Sequence, residues 1–203
     1  MLELFTSQGC SSCPPADRLL NKLAGADPTV APLSFHVDYW DDLGWADPYA
    51  SPAWTARQRD YAKALGDDRV YTPQLVIGGA LGMVGSNAKA ATAAIAKAPR
   101  PALLAATMTT TGDAVSISAT APPDADVFVA IWQPSTRTKV VRGENAGAVL
   151  RSDRVVRRLE RVAAAGSTNT IRITVDRTWQ PVGALAFAQR RDSRIVASAA
   201  LAP

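Results

Sequence analysis

Histidine occurs once in the 203 residues, at position 36, and cysteine twice, at positions 10 and 13. A single histidine excludes any multi-histidine metal centre, and two cysteines fall short of an all-cysteine zinc site. The same pair is too few for a scaffold stapled by disulfides. Long apolar runs are missing too: none approaches the roughly 18 residues that a membrane-spanning helix needs. No collagen-like or solenoid period recurs. Apolar residues are nevertheless plentiful, at 47% of the chain, which excludes disorder as a description of the whole. A chain of this length holds one large or two modest domains.

The first hundred residues alternate between short apolar runs and helical spacing. Leu2 to Thr6 (LELFT) suits a buried strand. Cys10-Ser11-Ser12-Cys13-Pro14-Pro15 follows. Proline near a helix start is tolerated because no intrahelical N–H is needed there, so Ser12 or Cys13 is the expected cap. Ala16, Leu19, Leu20 and Leu23 carry the helical face as far as Gly25. Leu33 to Asp38 predicts a second strand, and Pro52 to Leu65 a helix that stops at Gly66. Gln74–Ile77 and Leu81–Val84 form a hairpin about Gly78-Gly79, and Ser86 to Lys97 an alanine-rich helix capped by Ser86 or Asn87. The resulting order, β-α-β-α-β-β-α, fits a mixed sheet with helices on its faces.

Pro99-Arg100-Pro101 ends that pattern and marks a domain boundary, giving domains at 1–99 and 102–203. Beyond it the period changes from 3.6 to 2. Val115-Ile117-Ala119, Val127-Val129-Ile131, Ile171-Ile173-Val175 and Leu185-Phe187 alternate with small or polar residues. Seven or eight short strands predict a β-sandwich. The stretch 151–163 reads either way, since Val155, Leu159 and Val162 also suit a helix. Arg142-Gly143-Glu144-Asn145-Ala146-Gly147 has turn chemistry and reads as a hairpin loop, with a role in the site only if it faces Cys10.

Charge divides unevenly. Residues 1–100 carry 9 Lys/Arg against 10 Asp/Glu, and residues 101–203 carry 13 against 8. Arg151, Arg154, Arg157, Arg158 and Arg161 supply much of that excess. Asp153 and Glu160 interrupt them and no aromatics interleave for base stacking. The run therefore reads as a solvated face, and no nucleic-acid partner is expected.

Cys10-x-x-Cys13, between a first strand and a first helix, is the sharpest signal. A helix N-terminus offers unsatisfied N–H groups and a partial positive charge, and both favour a thiolate. Cys10, at the loop end, is the expected nucleophile and the more exposed sulfur. Cys13, a helical turn on, is expected to resolve the mixed disulfide. A structural disulfide or two buried thiols would fit the bare motif as well.

The segments LELFTSQGCSSCPPADRLL, FHVDYWDDLGWADPYAS, RQRDYAKAL, VYTPQLVIGG and RGENAG resemble one bacterial family of unknown function. Its members are similar to thioredoxins in their first half and are typically exported. The resemblance implies a thioredoxin-like fold for residues 1–99 and a site made of Cys10, Cys13, Thr72 and Pro73. Thr72-Pro73 is then expected to be cis, packed against the dithiol and bordering a groove for an extended substrate. Ser11, Ser12, Asp38, Trp40 and Tyr71 are expected around that site. A periplasmic or secreted location is implied, although this sequence opens directly on its first strand.

Around the motif, several residues keep two readings. His36 is a proton shuttle or a hydrogen-bonded strand residue. Asp38 is a general base for Cys13 or a loop cap. Tyr39, Trp40 and Trp45 pack the following loop or form an apolar rim over the dithiol. The leading functional expectation is a thiol–disulfide oxidoreductase that needs no cofactor and acts on a protein or small-molecule thiol or disulfide, its second domain serving partner recognition or self-association. The competing expectations are a protein handling Cu(I), a soft ion suited to two thiolates, and a redox-inert binding module.

Overall fold

The computed structural model describes residues 1–27 and 29–201. The first elements are β1 (Leu2–Thr6), α1 (Pro14–Ala26), β2 (Pro32–His36), α2 (Pro52–Leu65), β3 (Gln74–Ile77), β4 (Leu81–Val84) and α3 (Ala88–Lys97). The strands after them are β5 (Ala102–Leu103), β6 (Ala106–Thr111), β7 (Ala114–Thr120), β8 (Asp126–Lys139), β9 (Val149–Ala163), β10 (Thr168–Thr174), β11 (Gly183–Gln189) and β12 (Ile195–Leu201). This is a mixed α/β fold. It has one large mixed sheet, in the order β4-β3-β1-β2-β9-β8-β11-β12-β5, and one small sheet, β10-β7-β6. Among the described residues no helix is long and apolar enough to cross a membrane.

Local chemistry sets the element ends. Ser51 caps α2 by accepting from the Ala53 N–H, Pro52 opens the helix, and Gly66 closes it at φ 74° with its own N–H on helix carbonyls. Asn87, rather than Ser86, caps α3, accepting from the Ala90 N–H at 3.1 Å. The second strand ends two residues before Asp38, at His36.

Tertiary contacts divide the chain into two compact units. The first is Met1–Ala98 together with Ser135–Val155, and the second is Pro99–Pro134 together with Val156–Pro203. The sequence-level division keeps 102–203 in one piece; here the end of β8, the RGENAG loop and the start of β9 group with the first hundred residues. Residues 202 and 203 of that expected domain lie outside the described residues.

In the first unit β1 runs parallel to β2, from Leu2 opposite Pro32 to Thr6 opposite His36, and antiparallel to β3. All five β1 residues are buried, as in a strand covered on both faces. Leu2 and Leu4 join Leu20 of α1, Leu75 and Ile77 of β3 and Ala91 of α3 in one apolar cluster. On the other face Phe5 stacks on Phe35 at 5.5 Å and meets Tyr61 edge-on at 6.0 Å. That face also buries charge. Arg57 Nε donates to Glu3 Oε2 at 2.6 Å, and the Tyr61 hydroxyl donates to Glu3 Oε1.

The second unit holds one apolar cluster drawn from both sheets. Ile117 of β7, Val127, Val129 and Ile131 of β8, Ile173 of β10 and Ala186 and Ala188 of β11 contribute to it. Among the described residues after Pro101 there are eight strands, β5 to β12, but two are not short: β8 has 14 residues and β9 has 15. The helical alternative for 151–163 is overturned, because that stretch lies in β9. Arg154 explains the ambiguity. Its φ of 53° rephases the strand, so that Ser152, Val155 and Val156 are buried in turn, a spacing that mimics a helix.

Candidate functional site

The residues after β1 turn back on themselves before α1 begins. Gly9 N donates to Ser7 Oγ at 3.0 Å, Cys10 N to the Ser7 carbonyl and Cys13 N to the Cys10 carbonyl, each at 3.2 Å. Cys13 occupies the cap position without a side-chain capping bond. Cys10 and Cys13 form a disulfide with their Cα atoms 5.4 Å apart, within the usual range. The hydroxyl of exposed Ser12 donates to Cys10 Sγ at 3.3 Å.

Neither sulfur is open. Cys10 and Cys13 are both 0% exposed, which corrects the expectation that Cys10 would be the accessible one. The turn joining β8 to β9 is bonded to the backbone on both sides of Cys10. The Asn145 amide donates to the Gln8 carbonyl at 2.8 Å and to the Cys10 carbonyl at 3.0 Å. The Glu144 carboxylate accepts the Ser11 N–H at 2.9 Å. The RGENAG loop therefore does face Cys10. It is held close along its length: a Cβ on Gly44 would lie 3.3 Å from Gly143 Cα, and one on Gly143 would lie 3.1 Å from Trp45 Cβ. Both glycines have positive φ, 106° and 76°, so glycine meets the torsion and the close approach together.

Gln8 is the centre of this arrangement, and nothing in the sequence singles it out. Its N–H donates to Asp47 Oδ2 at 2.7 Å and its carbonyl accepts from Asn145. Its side-chain amide donates to Thr138 Oγ1 at 3.0 Å and accepts from Trp45 Nε1 at 3.3 Å. Trp45 thus bonds Gln8 and packs against Gly143.

His36 takes the hydrogen-bonded reading. Its Nδ1 lies 2.7 Å from Asp47 Oδ2, with both side chains buried. Burial pushes the Asp47 carboxyl up, but the His36 charge and the N–H donors of Gln8 and Tyr49 outweigh it and hold it below the ordinary range. Asp17, one turn into α1 from Cys13, is a further ionisable group that the sequence reading did not single out. It accepts from Thr6 Oγ1 at 3.3 Å, and burial raises it from 3.8 to about 6 against the opposing pull of His36.

Asp38 is placed as a loop cap. Its carboxylate accepts from the Thr55 hydroxyl, while its N–H donates to the same oxygen at 3.2 Å. Trp40 ties two parts of the expected site together. A Cβ on Gly9 would lie 3.1 Å from Trp40 Cβ, and Trp40 Nε1 donates to Thr72 Oγ1 at 2.8 Å. The Thr72-Pro73 bond is cis. A Cβ on Gly85 would lie 3.3 Å from Ala16 Cβ and 3.4 Å from Pro73 Cβ, so Pro73 lies near the first turn of α1. The Tyr71 carbonyl accepts from Gln58 Nε2 at 2.7 Å, which anchors the approach to Thr72. Tyr39 donates to Gln58 Oε1 at 3.2 Å.

The arginine run is placed on β9 and is largely engaged. Arg151 pairs with Asp153 at 2.9 Å and Arg161 with Asp126 at 3.2 Å. Arg157 and Arg158 lie over the Trp179 ring at 4.8 and 6.0 Å. Met83 packs against the apolar cluster around Leu2 and Leu4. Among the described residues no cluster of three or more His, Cys, Asp or Glu could hold a metal ion.

None of the curated proteins matches this chain. A crystal structure of a protein from Agrobacterium tumefaciens, a structural-genomics target, is 31% identical with a TM-score of 0.78. The alignment covers 98% of this chain and 92% of that one. The profile of the family described as "Protein of unknown function (DUF1223)" matches residues 1–189, and the chain belongs to that family.

Proposed function

We propose that this protein is a thiol–disulfide oxidoreductase that works through Cys10 and Cys13. The observation that carries this reading is the Cys10–Cys13 disulfide between the end of β1 and the first turn of α1. On this reading the first unit is thioredoxin-like and the second a β-sandwich for partner recognition or self-association. The reduced form attacks a substrate disulfide with the Cys10 thiolate, forming a mixed disulfide and releasing one substrate thiolate. The Cys13 thiolate then attacks Cys10 Sγ, releases the second substrate thiolate and regenerates the internal disulfide. Two electrons pass to the substrate, and a dithiol reductant restores the pair. Thr72 and Pro73, linked to the dithiol loop through Trp40, border the groove for an extended substrate. An oxidising compartment, periplasmic or extracellular, would keep the pair as found.

A second reading has one observation in its favour. Both sulfurs are fully buried, as in a redox-inert binding module that keeps the disulfide for structure alone. One assay separates the two: reduction of a protein disulfide in the presence of a dithiol reductant. Cys10→Ser should abolish turnover, and Cys13→Ser should accumulate a mixed disulfide with the substrate. Wild-type turnover no faster than the reductant alone, or full activity in Cys10→Ser, would leave the binding module standing.

A further inference from the structure

We propose that Glu144 is a positioning residue that keeps Cys10 a poor thiolate by holding the Ser11 amide. This rests on the oxidoreductase reading for its purpose, though its chemistry can be measured without any substrate.

The start of α1 is short of donors. Pro14 and Pro15 have no N–H, and the N–H groups of Cys13 and Ala16 are bonded to the Cys10 and Cys13 carbonyls. Stabilisation of a Cys10 thiolate therefore falls to the amides that follow it in the chain and to the Ser12 hydroxyl. Ser12 is in place, 3.3 Å from Cys10 Sγ. The Ser11 N–H, on the peptide directly after Cys10, is taken by the Glu144 carboxylate at 2.9 Å. Glu144 acts twice: it occupies a donor that a thiolate would use, and it sets a negative charge beside the position where the thiolate forms. The Ser11 N–H in turn holds the Glu144 carboxyl below its ordinary range, so it is charged wherever the thiol titrates. Both effects raise the free energy of the thiolate. They favour the disulfide over the dithiol, which is the direction of a reductant.

Other charged groups belong to neighbouring stretches of the first unit. Asp17 lies on α1, His36 on β2, Asp41 and Asp47 between β2 and α2, and Arg142 beside Glu144 in the β8–β9 turn. They are unchanged in every variant below, so a difference between variants belongs to position 144.

The test is the pH dependence of iodoacetamide alkylation of Cys10, read in full-length protein carrying Cys13→Ser. Glu144→Gln can still accept from Ser11 but has no charge, and its midpoint should fall below that of the parent. Removing one charge in a partly screened setting predicts about a threefold to tenfold gain in thiolate at a fixed pH below the midpoint. Glu144→Ala also releases the Ser11 N–H and should fall further, while Glu144→Asp should return toward the parent. Identical midpoints in the parent, Glu144→Gln and Glu144→Ala would overturn the proposal, even if the plateau rates differ. Should Glu144→Ala fail to fold, the near-isosteric Gln variant decides. In the two-cysteine protein, Glu144→Gln should shift the equilibrium with glutathione toward the dithiol. A protein without turnover but with a moving midpoint refutes the oxidoreductase reading alone, and the converse result refutes the role of Glu144 alone.

Discussion

The two units differ in what they bury. In the second, the buried residues are apolar: one cluster joins valine, isoleucine, leucine, methionine and alanine, Ile117, Val129 and Ala186 among them, and Phe187 is buried against Phe128. The first also buries Glu3, Thr6, Ser7, Gln8, Ser34, His36, Asp47, Thr55, Gln58, Gln74, Thr136 and Ser152. Every buried polar residue among those described falls in the first unit. Burying such groups is tolerable only when each finds a partner, and Gln8, His36 and Glu3 show how the partners are supplied. A core of small apolar side chains makes a scaffold. A core laced with carboxylates and amides makes a place where proton position and local charge can be set.

The largest expected effect comes from breaking the polar interior at its buried ion pair. Arg57→Ala leaves Glu3 without its cation, and urea denaturation should show a loss of about 3–5 kcal/mol. A loss below about 1 kcal/mol would mean that the first unit does not depend on this network. In the second unit, Ile117→Ala should cost about 3 kcal/mol through lost burial and a residual cavity, by the same amount at every pH where the protein folds. A pH-dependent cost there would blur the contrast.

The smallest effect should sharpen the contrast most. Asp17 has its folded pKa raised from 3.8 to about 6. Its contribution to stability is full below its unfolded pKa, is lost as pH rises through about 6, and then levels off. Asp47, whose pKa is lowered, works in the opposite sense. It stabilises above the unfolded carboxylate range and loses that contribution as pH falls below it. Asp17→Asn should therefore gain on the wild type by about 2 kcal/mol between pH 4 and pH 7, discounted for the partial exposure of its side chain. An unchanged difference across that range would place Asp17 in an ordinary solvated environment.

How much of this was legible in the sequence follows from the range of the interactions. Local chemistry could be read. Pro52 and Gly66 bound α2 as expected, β3 and β4 span the expected residues about Gly78-Gly79, and the disulfide motif sits at a strand–helix junction. The long strand β9 was masked by one residue, Arg154, whose positive φ breaks the alternation. The polar shell of the site was hidden for another reason. Gln8 and Asn145 are polar residues of no special type, and only the folded chain brings them together. Glu144 lay in a recognisable turn, yet no local pattern says that the turn faces Ser11. Asp38 stands out as the expected end of a strand, whereas the carboxylates with displaced pKa values beside the dithiol loop include Asp17 and Asp47.

The bond between Asn145 and the Gln8 carbonyl joins residues 137 apart in sequence. Because Ser135–Val155 belongs with Met1–Ala98, the first unit is not one continuous length of chain. During synthesis the dithiol loop emerges early, yet its hydrogen-bonding partners at Thr138, Glu144 and Asn145 leave the ribosome only after the first stretch of the second unit, Pro99–Pro134. Contacts of such long sequence separation form late. Until they do, the Ser11 amide lacks the Glu144 carboxylate, and Cys10 passes through a period in which its sulfur answers to the helix and Ser12 alone. The nascent chain and the finished protein are thus expected to differ in how readily the same cysteine reacts.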